Sequence, residues 1–355
     1  MQVLVTGAFG NIGHNTVEAL LARGHSVRCF DLDTPANRLA ALTLAKRCGD
    51  RVDTLWGDLR RPDDVAQAVE GQQAVAHLAF LVPKLSATGQ GSEDKPDLAW
   101  AVNVDGTHNL LNAMRAQSPR ARIVFTSSLH VYGPTQHLPA VRSADDPVHP
   151  VEHYARHKVA CEWLVKASGL EWTILRFAAA FPFSLKLDPY MFHVPLANRM
   201  EFIHTRDAAT AVANAVGSDE VWGKTLLIGG GPRCQLYYGE IVKKILGAVG
   251  VGMLPADAFG TTPFATDWLD TAESERLLHY QEHTLDDWVR EFKQVVGLRR
   301  WLIWLGRPIV RAMLLRQSPF WQATHARMGR PRQRALSRGA ATLPHKAAVA
   351  HGPQH

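Results

Sequence analysis

Short, nearly all-apolar runs recur along the chain, separated by longer stretches in which polar and apolar positions mix. Gln2 to Thr6, Ser26 to Phe30, Val52 to Trp56, Ala74 to Leu78, Arg122 to Thr126, Trp172 to Arg176 and Thr225 to Ile228 carry few polar residues and many β-branched ones. Strands covered on both faces need this composition, because neither side meets water. Asn11 to Arg23, Leu98 to Arg115 and Glu152 to Ala167 read as helices, the last two too long for strands. Alternation of this kind predicts an α/β fold with a doubly wound parallel sheet and right-handed crossovers. Two loops interrupt the order: Pro83 to Pro96, a lid or an ordinary surface loop, and Phe181 to Met200, with three prolines and several bulky apolar residues.

The segment T-G-A-F-G-N-I-G, Thr6 to Gly13, follows the first strand and opens a helix. Gly7, Gly10 and Gly13 permit a tight turn and close approach of a pyrophosphate to the helix N-terminus, with Asn11 and Ile12 between them. Asp31 ends the second strand, 31 minus 13 or 18 residues past the last glycine, the place of the acid that accepts the adenosine ribose hydroxyls. A carboxylate there repels the extra phosphate of NADP, so NAD is the expected cofactor and NADP the lesser choice. Alternatively, Asp31 or Asp33 caps the next helix near Thr34 and Pro35, and Arg28 or Arg38 restores NADP binding.

Tyr154 and Lys158, in Y-A-R-H-K, stand four residues apart on a helix, so both side chains share one face. An ammonium beside the phenol would favour the phenolate and make Tyr154 a usable general acid/base. The whole set resembles the extended short-chain dehydrogenase/reductase family, also called the NAD-dependent epimerase/dehydratase family, over roughly residues 1 to 295. T-G-A-F-G-N-I-G is similar to its dinucleotide motif, and G-D-L, with Asp58 and Leu59, to its adenine-contacting turn. H-L-A, with Leu78 and Ala79, resembles its loop after the fourth strand, and N-V-D-G-T, from Asn103, its helix motif. T-S-S-L-H-V-Y-G resembles the segment that carries the catalytic serine, here Ser128, and F-I-H-T-R-D-A-A, from Phe202, the segment after the substrate loop.

The resemblance implies a Rossmann-type sheet with a small C-terminal substrate-binding subdomain. It places a dinucleotide-binding domain at residues 1–176 and a substrate-binding part, which returns a strand and helix to the sheet, at 177–297. It also implies hydride transfer at nicotinamide C4, with Tyr154 exchanging the hydroxyl proton, Ser128 bonding the reacting oxygen, and Lys158 holding the ribose and tuning Tyr154. Tyr154 and Lys158 thus count among the cofactor-binding residues, beside Asp58, Leu59, Leu78, Ala79 and Asn103. His130, His153 and His157 either join a proton path or are exposed helix and loop residues.

Departures from the family pattern narrow the reaction. The family's sugar-nucleotide dehydratases carry an acidic pair where this chain has Leu129 and His130, so no acid stands ready for water elimination. Its sugar-nucleotide epimerases have an asparagine after the sixth strand and a long arm around the diphosphate. Here Leu175 to Phe183 lacks the asparagine, and the arm from Arg176 to Phe202 is 26 residues, with only Lys186 and Arg199 to meet a diphosphate. Phe181, Phe183, Tyr190, Met191, Phe192 and Val194 either wall a pocket for a lipophilic or small alcohol or ketone, or fill the core of the small domain. The expectation is a hydroxysteroid-dehydrogenase- or ketoreductase-like enzyme. The alternatives are a nucleotide-sugar epimerase and a non-catalytic NAD(P)-sensing regulator, which would be expected to have lost the tyrosine or lysine.

Charge changes the picture at the C-terminus. The chain is +6 overall, but after Glu291 there are 12 Lys and Arg and no acid, so residues 1–291 carry −6. An acidic body argues against nucleic acid as a partner. Segment 298–317 reads as a basic amphipathic helical segment split by Pro308, and 318–355 as a disordered basic tail. The Trp- and Arg-rich stretch 298–316 is expected to lie on a membrane surface, or to dock on this protein or on a second subunit as a homodimer. No run of about 18 apolar residues and no signal-like start appear, so a cytoplasmic protein is expected. Cys29, Cys48, Cys161 and Cys234 are scattered, which indicates buried thiols and neither a metal site nor disulfides.

Overall fold

The computed structural model describes residues 1–83, 91–185 and 188–328. Its main sheet has seven parallel strands: β1 (Gln2–Thr6), β2 (Ser26–Asp31), β3 (Val52–Trp56), β4 (Ala74–His77), β5 (Arg122–Ser128), β6 (Trp172–Phe177) and, after the short β7 (Arg199–Glu201), β8 (Thr225–Ile228). The order is β3-β2-β1-β4-β5-β6-β8, and β7 pairs antiparallel with β9 (Gln235–Tyr237) apart from it. Every strand read from the sequence is present. The chain runs outward from β1 to β3 and then returns to β4 on the other side of β1. That reversal opens a crevice beyond the strand C-termini, the usual ligand position in such a sheet.

Helices cover both faces, which explains the unbroken apolarity of the strands. Val3 and Val5 of β1 pack under α1 (Gly13–Ala22) and α7 (Thr205–Gly217), whereas Leu4 packs with α3 (Pro62–Val69), α5 (Gly106–Ala116) and α6 (His153–Lys166). The remaining helix after β2 is α2 (Pro35–Cys48), capped by Thr34, whose hydroxyl accepts the Asn37 N–H at 3.2 Å. The helix expected over Leu98 to Arg115 is a composite of α4 (Pro96–Trp100), one π turn at Ala101–Asp105, and α5. Cys29, Cys161 and Cys234 are buried free thiols, and Cys48 is half-buried.

A second core lies beyond the sheet. Phe192, Phe202, Ile241, Leu246, Trp288 and Phe292 form its centre, contributed by α8 (Tyr238–Val249), α10 (Leu285–Val296) and the loops before them. Asp207, at the start of α7, holds the chain entering α10: its carboxylate accepts the Glu282 and His283 N–H groups and pairs with His283 Nδ1 at 2.5 Å. The C-terminal segment docks here through α11 (Arg299–Leu305) and α12 (Arg307–Leu315), which bring Ile303, Val310 and Leu315 against this core. The tail expected to be unstructured from 318 begins instead with a helix, α13 (Pro319–Met328). Ser318 anchors it by bonding the Trp321 N–H at 3.1 Å, and Phe320 packs on His193. Local composition missed this helix because its order comes from the core it meets. No helix among the described residues is long and apolar enough to cross a membrane.

Candidate active site

At the first turn the backbone comes so close to its neighbours that side chains are excluded. Gly7 has φ +69°, and a Cβ there would stand 2.8 Å from Ala79 N and Cα; one on Gly13 would stand 2.0 Å from the Gly7 carbonyl oxygen. Thr6 ties the turn to the loop after β4 by accepting the Ala79 N–H at 3.2 Å, and Leu78 N–H donates to the Thr6 carbonyl. Gly10 N–H donates to the Gly7 carbonyl at 3.1 Å, and Asn11 Nδ2 reaches the Ala180 carbonyl at 3.4 Å. Ile12 precedes α1 and offers its N-terminus no side-chain cap. The first-turn N–H groups thus border a cradle without side chains, which fits a dinucleotide pyrophosphate.

Asp31 stands beside this cradle. One carboxylate oxygen accepts the Phe9 N–H at 3.0 Å, and the other accepts Leu32 N–H and Asn37 Nδ2 at 2.8 and 3.1 Å. Burial raises its pKa, and the three hydrogen bonds oppose the rise. Neither Asp31 nor Asp33 caps α2, since Thr34 does. The two arginines considered for NADP are occupied elsewhere: Arg38 pairs with Asp33, and Arg28 with Asp53 at 2.8 Å and three backbone carbonyls. Asp58 is bonded by Arg60, and Leu59 is buried against Gly106.

Asn103, expected among the cofactor-binding residues, holds the loop after β4: its carboxamide accepts the Leu81 N–H at 2.7 Å and donates to the Leu81 carbonyl at 3.1 Å. His77 is a satisfied core residue between Thr6 and Thr107, and burial pushes its pKa down to about 3.

Ser128 ends β5, and Tyr154 and Lys158 lie one turn apart on α6, so the sheet and one helix bring all three to the crevice. Burial pushes the Tyr154 phenol up to about 12, with the Ser128 side chain opposing the rise. Lys158 Nζ donates to the Thr126 carbonyl at 2.7 Å, lies 3.4 Å from the Phe80 ring centre, and is 5.8 Å from that of Tyr154. Its burial, at 3% exposure, lowers its own pKa to about 7. Behind the three, Glu162 accepts both Arg176 Nε and Nη2, at 2.9 and 2.7 Å, and the Ser127 hydroxyl at 2.6 Å.

Several residues of this site were not found from sequence. Glu93 caps α6 by accepting the His153 and Tyr154 N–H groups, at 3.2 and 2.9 Å. It lies in the loop expected as a lid, of which 84–90 fall outside the described residues; Ser92, next to it, is buried. The histidines also differ from the exposed reading: His157 is 2% exposed, and His130 pairs with Glu152 at 2.7 Å, so that an acid does stand beside the serine segment. His153 is exposed. Glu152 was missed because it comes from the start of α6, 22 residues away in sequence.

The substrate loop divides between the two roles considered for it. Phe181 and Phe183 stack on Phe202 and Trp288 as part of the second core, whereas Tyr190 faces Phe264, which in turn meets His130 edge-on. Arg199 does not serve a diphosphate: Asp267 takes its Nε and Nη2 at 2.7 and 3.1 Å, and nearby carbonyls take the rest. Lys186 is outside the described residues.

A glycine cradle at the switch point of a doubly wound sheet, with Ser, Tyr and Lys gathered at the adjoining strand end, defines a protein of the extended short-chain dehydrogenase/reductase type. The chain belongs to the NAD dependent epimerase/dehydratase family, whose model matches residues 3–185. It is 37% identical over 128 residues to a 3-beta-hydroxysteroid dehydrogenase of Mycolicibacterium neoaurum, a match that covers 36% of this chain and only 32% of that protein. It is 34% identical over 145 residues to a UDP-glucose 4-epimerase of Klebsiella pneumoniae, covering 40% of this chain and 100% of that sequence. Among solved structures, the dTDP-glucose 4,6-dehydratase DesIV of Streptomyces venezuelae, with NAD and TYD bound, superposes with a TM-score of 0.70 at 24% identity, over 85% of this chain and 98% of that one.

Proposed function

We propose that this chain is an NAD-dependent dehydrogenase or reductase that moves a hydride between the nicotinamide and an alcohol or ketone carbon of a lipophilic substrate. The observation that carries the reading is the placing of Ser128 at the end of β5 and of Tyr154 and Lys158 one turn apart on α6, at the crevice into which the glycine cradle opens. Gly7, Gly10, Gly13 and the α1 N-terminus would hold the pyrophosphate, and Asp31 the adenosine ribose. Bound NAD supplies or accepts the hydride. Ser128 and Tyr154 bind the substrate oxygen, Tyr154 gives or takes its proton, and Lys158 fixes the ribose beside them.

An apolar substrate is favoured because the arginine of the arm is locked to Asp267, while Phe80, Tyr190 and Phe264 stand around Tyr154 and His130. A nucleotide-sugar epimerase would need a diphosphate grip that Arg199 does not provide. A cofactor-sensing regulator would not need the trio. NADH is expected to bind more tightly than NADPH and to be oxidised in the presence of cyclic ketones, and Asp31→Ala is expected to narrow the cofactor difference. Fluorescence titration of both cofactors, followed by absorbance assays with ketones and with UDP-glucose, checks this. Equal or tighter NADPH binding would remove Asp31 from the ribose site, and epimerisation of UDP-glucose without ketone reduction would replace the reading.

The same reading extends to the C-terminal helices. Leu298, Trp301, Leu302, Trp304, Leu305 and Ile309 are between 55% and 83% exposed, next to Arg299 and Arg300 and in a stretch without acids. Arg307 and Arg311, counted with them in the sequence, instead bond the carbonyls of Val251 to Met253. The partner that suits an apolar, basic face is an anionic lipid surface, to which each remaining arginine contributes about 1 kcal/mol. The full chain is expected to sediment with phosphatidylserine vesicles and less with phosphatidylcholine vesicles, and Trp301→Ser with Trp304→Ser to abolish both. Failure of the full chain to sediment with either would make the face a protein contact.

A further inference from the structure

We propose that His130, oriented by Glu152, is a second acid–base group of this site, one that removes a proton from the carbon next to the carbonyl held by Ser128 and Tyr154. The proposal rests on the hydride-transfer reading above and adds a reaction which that reading does not need.

The turn after β5 sets His130 in place. Leu129–Tyr132 is a single 3-10 turn, and Ser128 Oγ accepts the His130 N–H at 3.3 Å, so the imidazole starts beside the serine hydroxyl. Its ring stands edge-to-face to Tyr154, with ring centres 5.7 Å apart, and edge-to-face to Phe264 at 5.6 Å. Its Nδ1 meets Glu152 Oε2 at 2.7 Å, with the two side chains 20% and 14% exposed. An imidazole that donates Nδ1–H to a carboxylate keeps its lone pair on Nε2, the arrangement of an oriented general base.

Among the described residues, His130 is the one ion-pair partner of Glu152. Glu152 is the residue before α6, yet its side chain does not cap the helix; Glu93, from another segment, takes the His153 and Tyr154 N–H groups. Glu152 is instead fixed by His130, and Tyr190 borders the pair through Phe264, whose ring lies 5.6 Å from those of both Tyr190 and His130. Glu152 and His130 thus form an oriented pair beside Tyr154, while hydride transfer itself uses a single proton-transferring residue.

The step balances without an added reagent. His130 Nε2 takes the proton from the adjacent carbon, the C–H electron pair becomes the C=C bond of an enolate, and the carbonyl π pair moves to the oxygen, which Tyr154 and Ser128 stabilise. Return of a solvent-derived proton from His130 regenerates the ketone, so the outward sign is hydrogen exchange at that carbon. The substrate class is therefore a ketone, or an alcohol oxidised to one, with hydrogen on the neighbouring carbon.

The test uses the full chain with NAD in deuterated buffer, with decalone, cyclohexanone and benzylacetone as probes, and mass spectrometry of the recovered ketone. NADH-dependent reduction of the same ketones is measured in parallel. Exchange above the buffer rate is expected for each ketone that is reduced; His130→Gln is expected to lower it about 100-fold, the scale of a lost general base, and Glu152→Gln to lower it less. The ratio of exchange to reduction should fall in both variants, which a merely structural role would not produce. Reduction by wild type without exchange, or wild-type exchange in His130→Gln, overturns the proposal. If His130→Gln fails to fold, an unchanged ratio in Glu152→Gln overturns it. Reduction of none of the ketones would sink the hydride reading and this proposal with it.

Discussion

Replacing Tyr154 by phenylalanine is expected to cut ketone turnover by about 100-fold or more while leaving NADH affinity nearly unchanged. The substitution removes one hydroxyl and keeps the ring that packs edge-on against Phe80 at 5.7 Å. Burial holds the phenol at about 12, so at neutral pH Tyr154 carries its proton and is ready to donate it in the reductive direction. Oxidation needs the phenolate, whose share grows as pH rises toward that value, so alcohol oxidation is expected to accelerate with pH and reduction to fall. Steady-state rates in both directions across pH, with cofactor titration of the variant, check this. A Tyr154→Phe enzyme with near wild-type kcat would remove the tyrosine from the chemistry.

Arg176→Ala is expected to destabilise the fold by about 3 to 5 kcal/mol, because it leaves Glu162 charged, buried and without its main partner. The two side chains are each 5% exposed and joined at two points, and Tyr132 adds a third contact through its hydroxyl, 2.7 Å from Arg176 Nη1. Glu162 also accepts the Ser127 hydroxyl, so the pair braces the strand end from which Ser128 projects. Replacing both charges, as Glu162→Met with Arg176→Met, is expected to recover most of the loss, since neither is then stranded. Urea unfolding of the single and double variants decides it: a single variant within about 1 kcal/mol of wild type would show that the pair is not the brace described here.

The sheet was legible because its signal is local. The inner strands are covered on both faces, so they announce themselves as apolar runs, as Val3 to Val5 do by facing two different helix layers. The glycine turn was equally readable, since the close approach at Gly7 and Gly13 admits no other residue. Pairings between distant segments were not legible. Glu93 reaches α6 across 61 residues, Glu152 reaches His130 across 22, and Asp267 takes Arg199 across 68. Nothing in the local pattern of a polar residue says whether its partner is water, a ligand or a distant group, and this is why the bonds that hold Arg199, Arg307 and Asn103 were not read from the sequence. The same reason hid the helix at Pro319–Met328, whose apolar contacts belong to the second core and not to its own sequence.

The central claim is that Ser128, Tyr154 and Lys158 serve hydride transfer between nicotinamide and a substrate carbonyl. Its most direct test is single-turnover reaction of the full chain with NADH carrying deuterium at nicotinamide C4, with the alcohol product analysed by mass spectrometry. The account predicts one deuterium on the carbinol carbon, with one product stereoisomer dominant, and no transfer above background in Tyr154→Phe. NADH that binds but passes no deuterium to any ketone, or wild-type transfer in the variant, would contradict it.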